Sequence, residues 1–441
     1  MKKNKMKYIF LITAMILMGM NSYSYSQTSD SLQYYLEMAG KNNPKIKSDF
    51  LKYKSSLEKI TQAGAYPDPT LDIGFFLKPM DIIDGKQVAD FTLMQMFPWF
   101  GSQKAARTEA AQVSKMAYEE FRLSVNNLFL DVYTQWYLLG SLQEQLKNSK
   151  MNRASLQQLE KLATQKYSSP SFSSNDMSRS SGGMSDVLRI QLEVAELDNT
   201  IESIQSEIVA EKSVFNALLN QPSNAEVNVS DTITQLPYIF DSAVVMEQIQ
   251  QKNPLLLRIT EESLAYEAKA EADKKKSYPT IGVGVQYSII NKRSDMILPV
   301  SSMNGMDMIM PMVSISLPIF RGKYKAQQKE SELAVLSNME KYKDTRNSLE
   351  AQVYQVKHEL DDAARKIELY TKQTHLAQTT YNLLVQEFVS GKSDLTNLIQ
   401  VHRQLLDYTF KKADAVAKYN TVVASINSLI SYSTPEHFNS N

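Results

Sequence analysis

Cysteine is absent from all 441 residues, which excludes disulfides, thiolate metal sites, a cysteine nucleophile and an acylated lipoprotein cysteine. Glycine and proline are scarce, at 14 each, so long uninterrupted elements are expected. An excess of either charge is also missing, because 48 lysines and arginines balance 48 aspartates and glutamates. Neither nucleic acid nor a polyanionic tail is therefore indicated. Beyond the N-terminal region no stretch approaches 18 consecutive apolar residues, so a protein built from membrane helices is excluded. A β-barrel is not, because its strands alternate and leave only a weak hydropathy signal. The histidines, His358, His375, His402 and His437, form no zinc-type cluster, and no phosphate loop or nucleophile elbow is present. His358 shares a helical face with Asp361 and Asp362, which reads as a solvated charged face. No enzymatic activity and no cofactor are expected.

What is present begins with Lys2, Lys3, Lys5 and Lys7, ahead of the apolar run "YIFLITAMILMGM" and then "NSYSYSQ". The run is well short of the roughly 20 residues a spanning helix needs, and Ser24 and Ser26 are small enough for a cleavage site before Gln27. Residues 1–26 therefore read as a secretory signal peptide.

The remainder repeats one order of landmarks about 210 residues apart. "NNPKI" at 42–46 is answered by "KNPLL" at 252–256, and "AYPDPTLDIGF" at 65–75 by "SYPTIGVGVQY" at 277–287. "MFPWFGSQKAARTEAA" from Met96 is answered by "SLPIFRGKYKAQQKES" from Ser316, and "GGMSDVLRIQLEVAELD" at 182–198 by "SGKSDLTNLIQVHRQLLD" at 390–407. An internal duplication follows, with a first repeat at 27–220, a polar linker at 221–240, a second repeat at 241–432 and a tail at 433–441.

Each repeat should hold a helix, two strands and two long helices. Period-two alternation places strands at about 66–78 and 88–98 in the first repeat, and at about 278–290 and 309–320 in the second. Helices are expected at 101–167 and 185–219, then at 322–389 and 393–432. Past their first residue, 101–167 and 322–389 contain no proline and no glycine but Gly140. At 1.5 Å per residue each is a rod of roughly 100 Å. Leu349, Val353, Val356, Leu360, Ala363, Ile367 and Tyr370, and likewise Val187, Ile190, Val194, Leu197, Ile201, Ile204 and Ile208, keep the 3.5-residue period of coiled-coil seams. The fold class is a mixed α and β membrane protein, with four transmembrane strands per chain. Four strands cannot close a barrel, and an open edge in lipid leaves backbone groups unsatisfied, so several chains must pool strands. Two chains would give eight and three would give twelve.

Taken together, "AYPDPTL", "FPWFGSQKAARTEAA", "LPIFRGKYKAQQKE", "ALLNQP" at 217–222 and "YNLLVQEFVSGKSDLTNLIQVHRQLLD" resemble the TolC family of outer-membrane efflux proteins over about residues 30–432. The resemblance implies a homotrimer with a 12-stranded barrel in outer-membrane lipid, continued by a helical tunnel into the periplasm. It further implies a passive exit duct of a tripartite efflux system for drugs or metal ions, partnered by a periplasmic adaptor and an inner-membrane pump. A type I peptide or protein secretion duct has the same architecture, and a heavy-metal efflux subgroup is one branch. A secreted structural coiled coil would leave the four alternating strands unexplained.

The resemblance places the periplasmic entrance at Asp186, Arg189, Asn397 and Gln400, and the adaptor-contact tips at Gly182, Gly183, Ser390 and Gly391. Family members carry acidic residues at the entrance, whereas of these four positions Asp186 alone is acidic. It would either form a charged ring by threefold symmetry or serve as a first-turn acid favoured by the helix dipole. The first tip also carries a serine-rich insertion at 168–181, either a docking element or a tolerated loop. Phe97, Trp99, Phe100 and Phe320 near the strand ends fit an interfacial girdle or ordinary packing. Finally, Met308, Met310 and Met312 alternate against a lipid face of Val313, Ile315, Leu317 and Ile319 and should face the lumen, as should Met94 and Met96. Thioethers ligate Cu(I) and Ag(I). The competing expectation is flexible filler, with Pro311 marking a bulge that flips the register.

Overall fold

The computed structural model describes residues 32–168, 183–294, 302–390 and 392–431. The expected signal peptide, almost all of the serine-rich insertion, the tail, Gly182 and Gly391 lie outside these residues.

The first repeat opens on α1 (Leu32–Asn42) and α2 (Pro44–Ala63), the second on α5 (Ser242–Lys252) and α6 (Pro254–Lys276). Both helix pairs break at the same device. Asn43 accepts hydrogen bonds from the N–H groups of Lys45 and Ile46 at 2.9 and 3.3 Å, and its amide donates to the Leu218 carbonyl at 2.9 Å. Asn253 accepts from Leu255 and Leu256 at 2.9 and 3.2 Å and donates to the Leu429 carbonyl at 2.8 Å. The proline that follows each asparagine sits at the first helical position, where no N–H is required. Each side chain thus starts one helix and holds the end of another.

Two rods dominate the length. The first, α3 (Ser102–Ser168), has 67 residues, and the other, α7 (Arg321–Val389), has 69. Two shorter helices lie along α3 in turn. Its first half takes α2, through the hydrogen bonds of Ser56 with Ser114 and of Ser124 with Asp49. Its second half takes α4 (Gly183–Leu218), through Gln135 with Glu211 and Arg153 with Asp198. Along α7, α6 pairs through Lys341 with Glu262, and α8 (Leu395–Ile430) through Lys418 with Glu359. Contacts of α3 with α6 and α8 join the halves. Every level of the wall therefore runs in one order, α2 or α4, then α3, then α6 or α8, then α7.

The coiled-coil seams are the buried faces. Val187, Ile190, Leu197, Ile201, Ile204 and Ile208 of α4 are buried, as are Leu349, Val353, Leu360 and Ala363 of α7. One core gathers around Tyr35, Phe121 and Phe215, and a second around Ile249, Leu256 and Val353. A third, at the far end, collects Leu159, Val187 and Ile190 with Phe388, Leu395 and Leu398. Between the repeats the chain crosses α3 at Gly140, where a Cβ would lie 2.5 Å from Cγ2 of Ile233. Its Val227 enters the first core and its Leu236, Tyr238 and Phe240 pack on the second.

The four strands, β1 (Thr70–Ile82), β2 (Gly85–Phe97), β3 (Ile281–Asn291) and β4 (Met308–Ile315), form one antiparallel sheet in the order β1-β2-β3-β4. The pairing of β2 with β3 joins the repeats. All four strands shift from the ranges read in the sequence, β2 by starting at Gly85 rather than about 88. Pro67 and Pro69 delay β1 until Thr70, and it runs on through Pro79, tolerated at a sheet edge where the register slips between Phe75 and Met80. Pro279 delays β3 to Ile281 in the same way. The last strand stops at Ile315 rather than 320, because Pro318 has no N–H to donate and the backbone turns, with Ile319 N–H on the Leu317 carbonyl at 2.8 Å. Leu317 and Ile319 are consequently outside the sheet.

The paired asparagines yield an expected outcome. Asn43→Ala or Asn253→Ala removes a cap contribution of about 1 kcal/mol, and more where the paired carbonyl loses its donor. Both variants should unfold at lower temperature in detergent by circular dichroism, with the double variant additive; unchanged melting would remove the caps from the account of stability.

Candidate functional site at the helix tips and on the sheet

At the tips, Gly183 opens α4, and Ser390 closes α7 with its N–H on the Gln386 carbonyl. Asp186 stands half-buried in the first turn of α4, whereas Arg189, Asn397 and Gln400 are exposed. The Asn397 backbone N–H is taken by Asp394, which caps α8. Arg189 reaches across to α8 and donates to the Thr396 hydroxyl at 3.0 Å. These first turns are therefore adjacent.

Two turns further in lies a contact the sequence reading missed. Arg403 of α8 forks onto Glu193 of α4, Nε to Oε2 at 2.8 Å and an Nη to Oε1 at 2.5 Å, and also reaches Glu196 at 3.1 Å. Planar two-point pairing of this kind is the stronger form of ion pair. The Glu193 side chain is 12% exposed, and the pair holds the Arg403 guanidinium charged even more firmly than usual. Next to it His402 is 3% exposed, with its ring 5.4 Å from that of Tyr381 and its Nε2 unpartnered. Burial pushes its pKa down to about 4, against the opposing pull of the Glu193 carboxylate and a hydrogen bond with the Asn152 backbone. A cleft of about 320 Å³ between the helices is lined by His402, Arg403, Glu193, Glu196, Asp407 and Phe410. Farther along, Asp414 of α8 accepts from Ser141 and Gln145 of α3, each at 2.7 Å. No local motif marks Glu193 and Arg403 as partners; the one signal in the sequence is their separation of 210, the length of the repeat.

The charged face around His358 is as expected. Asp361 pairs with Lys357, and Asp362 with Arg365 and Lys366. Among the described residues no group of three or more histidine, aspartate or glutamate side chains could hold a metal ion.

On the sheet the register sorts side chains by parity. Leu71, Ile73 and Phe75 oppose Leu93, Phe91 and Ala89, continuing across Val285, Tyr287 and Ile289 to Pro311 and Ile309. Most of this apolar face is solvent-exposed in the single chain. The opposite face carries Asp72, Asp90, Thr92, Gln286 and Ser288. Met308, Met310 and Met312 fall on it opposite Ser288, Gln286 and Gly284, and the β3–β4 register runs without a shift through Pro311. At the helical end of the sheet, Trp99 stacks on Tyr278 at 5.6 Å, while Phe97, Phe100 and Phe320 project outward.

Residues 245–430 match the outer membrane efflux protein family. A search of curated proteins finds no match. Among solved structures, the outer membrane protein VceC of Vibrio cholerae superposes with a TM-score of 0.70 at 14% identity, covering 90% of this chain and 95% of its own. The transmembrane channel CusC gives 0.69 at 16% identity, with 94% and 96% covered. The open-state outer membrane channel MtrE of Neisseria gonorrhoeae gives 0.63 at 13% identity, with 90% and 88% covered. These likenesses are of fold. The second repeat thus carries the family match, and the fold shared with these structures runs through nine-tenths of the chain.

Proposed function

We propose that this protein is the outer-membrane exit duct of a tripartite efflux system, a passive conduit that receives substrate from a periplasmic adaptor and an inner-membrane pump. One observation carries the proposal: the sheet and the helical wall are open on the same two flanks. Among the described residues, the outer edges of β1 and β4 have no strand beside them in the single chain. On the β1 flank α4 exposes Leu188, Leu192, Val209 and Val214; on the β4 flank α7 exposes Leu333, Leu336, Met339, Leu369, Leu376 and Leu383. Leu369, Leu376 and Leu383 are seven apart, an exposed apolar seam with no helix against it among the described residues. Joining flank to flank satisfies strand edges and helix seams together. Two copies would close eight strands, whose interior side chains fill; three close twelve and leave a lumen. The apolar sheet face then meets lipid and the polar face lines the passage.

At the tips, Asp186, Arg189, Asn397 and Gln400 border the entrance, and Gly183 and Ser390 belong to the surface the adaptor meets. The Arg403 fork on Glu193 and Glu196 acts as the clasp between α4 and α8. It joins the ends of the two coiled coils, the place where separation would widen the mouth.

Three outcomes are expected. The protein should fractionate with the outer membrane and run as a heat-modifiable trimer, and its deletion should sensitise cells to exported compounds; recovery as a soluble periplasmic monomer would end the proposal. Arg403→Ala should raise the open probability in planar bilayers while lowering stability by roughly 1 kcal/mol or less, as for other solvent-accessible ion pairs. Unaltered gating would remove the clasp. For His402, a folded pKa near 4 lies below the ordinary 6.5, so between these values the unfolded chain takes up a proton that the folded chain refuses. Stability should therefore fall as pH drops from about 6.5 to 4, by roughly 3 kcal/mol per chain. Thermal melts against pH should show that slope in the native protein and its loss in His402→Leu.

A further inference from the structure

The methionines of β2 and β4 are sorted onto one side of the sheet. All five methionines of β2 and β4, at 94, 96, 308, 310 and 312, share the polar face with Asp90, Thr92, Gln286 and Ser288. None falls on the apolar face, where leucine, isoleucine, valine and aromatic residues stand instead. Methionine used as indifferent apolar filler would be distributed over both faces.

Three of the five converge on a bare stretch of β3. Gly284 has Met94 beside it on β2 and Met312 beside it on β4, and the next row pairs Gly282 with Met96. Neighbouring strands lie about 4.8 Å apart, so the walls of this trough are roughly 10 Å across, within reach of thioethers leaning in from both sides. Met94 and Met96 do lean in. The position a Gly282 Cβ would take lies 2.6 Å from the Met96 Sδ and 3.1 Å from the Met94 Sδ, which places the two sulfurs no more than 5.7 Å apart. A Cβ on Gly284 would meet the same Met94 sulfur at 3.0 Å. Both glycines leave room for sulfur where any side chain would collide. Two sulfurs within this distance can both reach a single soft cation lying between them.

We propose that Met94, Met96 and Met312, over the floor of Gly282 and Gly284, form a thioether site for a soft monovalent cation, Cu(I) or Ag(I). Neutral sulfur ligands select such ions over Mg²⁺, Ca²⁺ and Zn²⁺, whose preferred donors include carboxylate or imidazole. The row lies at the helix-proximal end of the sheet, two to four residues from where β2 and β3 meet the helical section. Its position on the lumen wall rests on the exit-duct proposal; ion binding by the purified protein does not.

The test uses the full chain in detergent, titrated with Ag⁺ alone in chloride-free buffer, with bound silver counted by mass spectrometry and calorimetry. The combined variant Met94→Leu, Met96→Leu, Met312→Leu conserves volume, and Met303→Leu, Met306→Leu serves as a control outside the row. The native protein and the control should each bind a silver ion that the combined variant loses or holds at least roughly tenfold more weakly. Equal binding by all three overturns the site. Should the combined variant misfold, X-ray absorption at the silver edge of the native protein decides: a sulfur shell supports the site and an oxygen or nitrogen shell overturns it. If the gene deletion leaves tolerance to every compound unchanged while silver still binds to these methionines, the duct proposal fails and the site stands.

Discussion

An unpaired strand edge cannot rest in lipid, because each of its N–H and C=O groups would lack a partner where water is absent. In this chain β1 and β4 are such edges, and the sheet between them is too narrow to curl shut. Self-association is therefore a condition of the membrane-embedded state. The helical wall is arranged so that the same association buries its own leftover surfaces, the apolar stripes of α4 and α7. Hydrogen bonding in the bilayer and hydrophobic burial outside it thus act on one interface.

Within the wall, length is managed by dividing labour. A helix of 67 or 69 residues has little tertiary constraint along most of its surface unless shorter helices are laid against it. The asparagine caps fix where those helices meet, by tying the start of α2 to the end of α4 and the start of α6 to the end of α8. Both ties lie well away from the tips. The tips themselves are held by a small apolar cluster and by charged contacts such as Arg403 with Glu193. The tips are therefore the more easily parted end of the wall, since accessible ion pairs can be exchanged for water at modest cost whereas a buried core cannot.

Much of the fold was legible because it depends on period. Alternation of two along Ile281 to Ile289 and of three and four along Val187 to Ile208 are one-dimensional patterns, and the buried seam of α4 follows the latter at every position but the half-buried Val194. Proline positions were less legible. Pro79 is accommodated in β1 because that strand is an edge, while Pro318 ends β4, and sequence does not say which strands lie at edges. The register through Pro311 was equally open, since a bulge there would have turned three methionines to the other face.

The sequence by itself determined the duplicated plan, the long rods, the four alternating strands and the need for partners to close them, because each follows from spacing along the chain or from counting. Only the tertiary structure decided which distant residues meet. Glu193 finds Arg403, and Met94 comes to lie beside Gly284, because the two repeats fold against one another. Such contacts depend on register between segments about 200 residues apart, which no local pattern encodes.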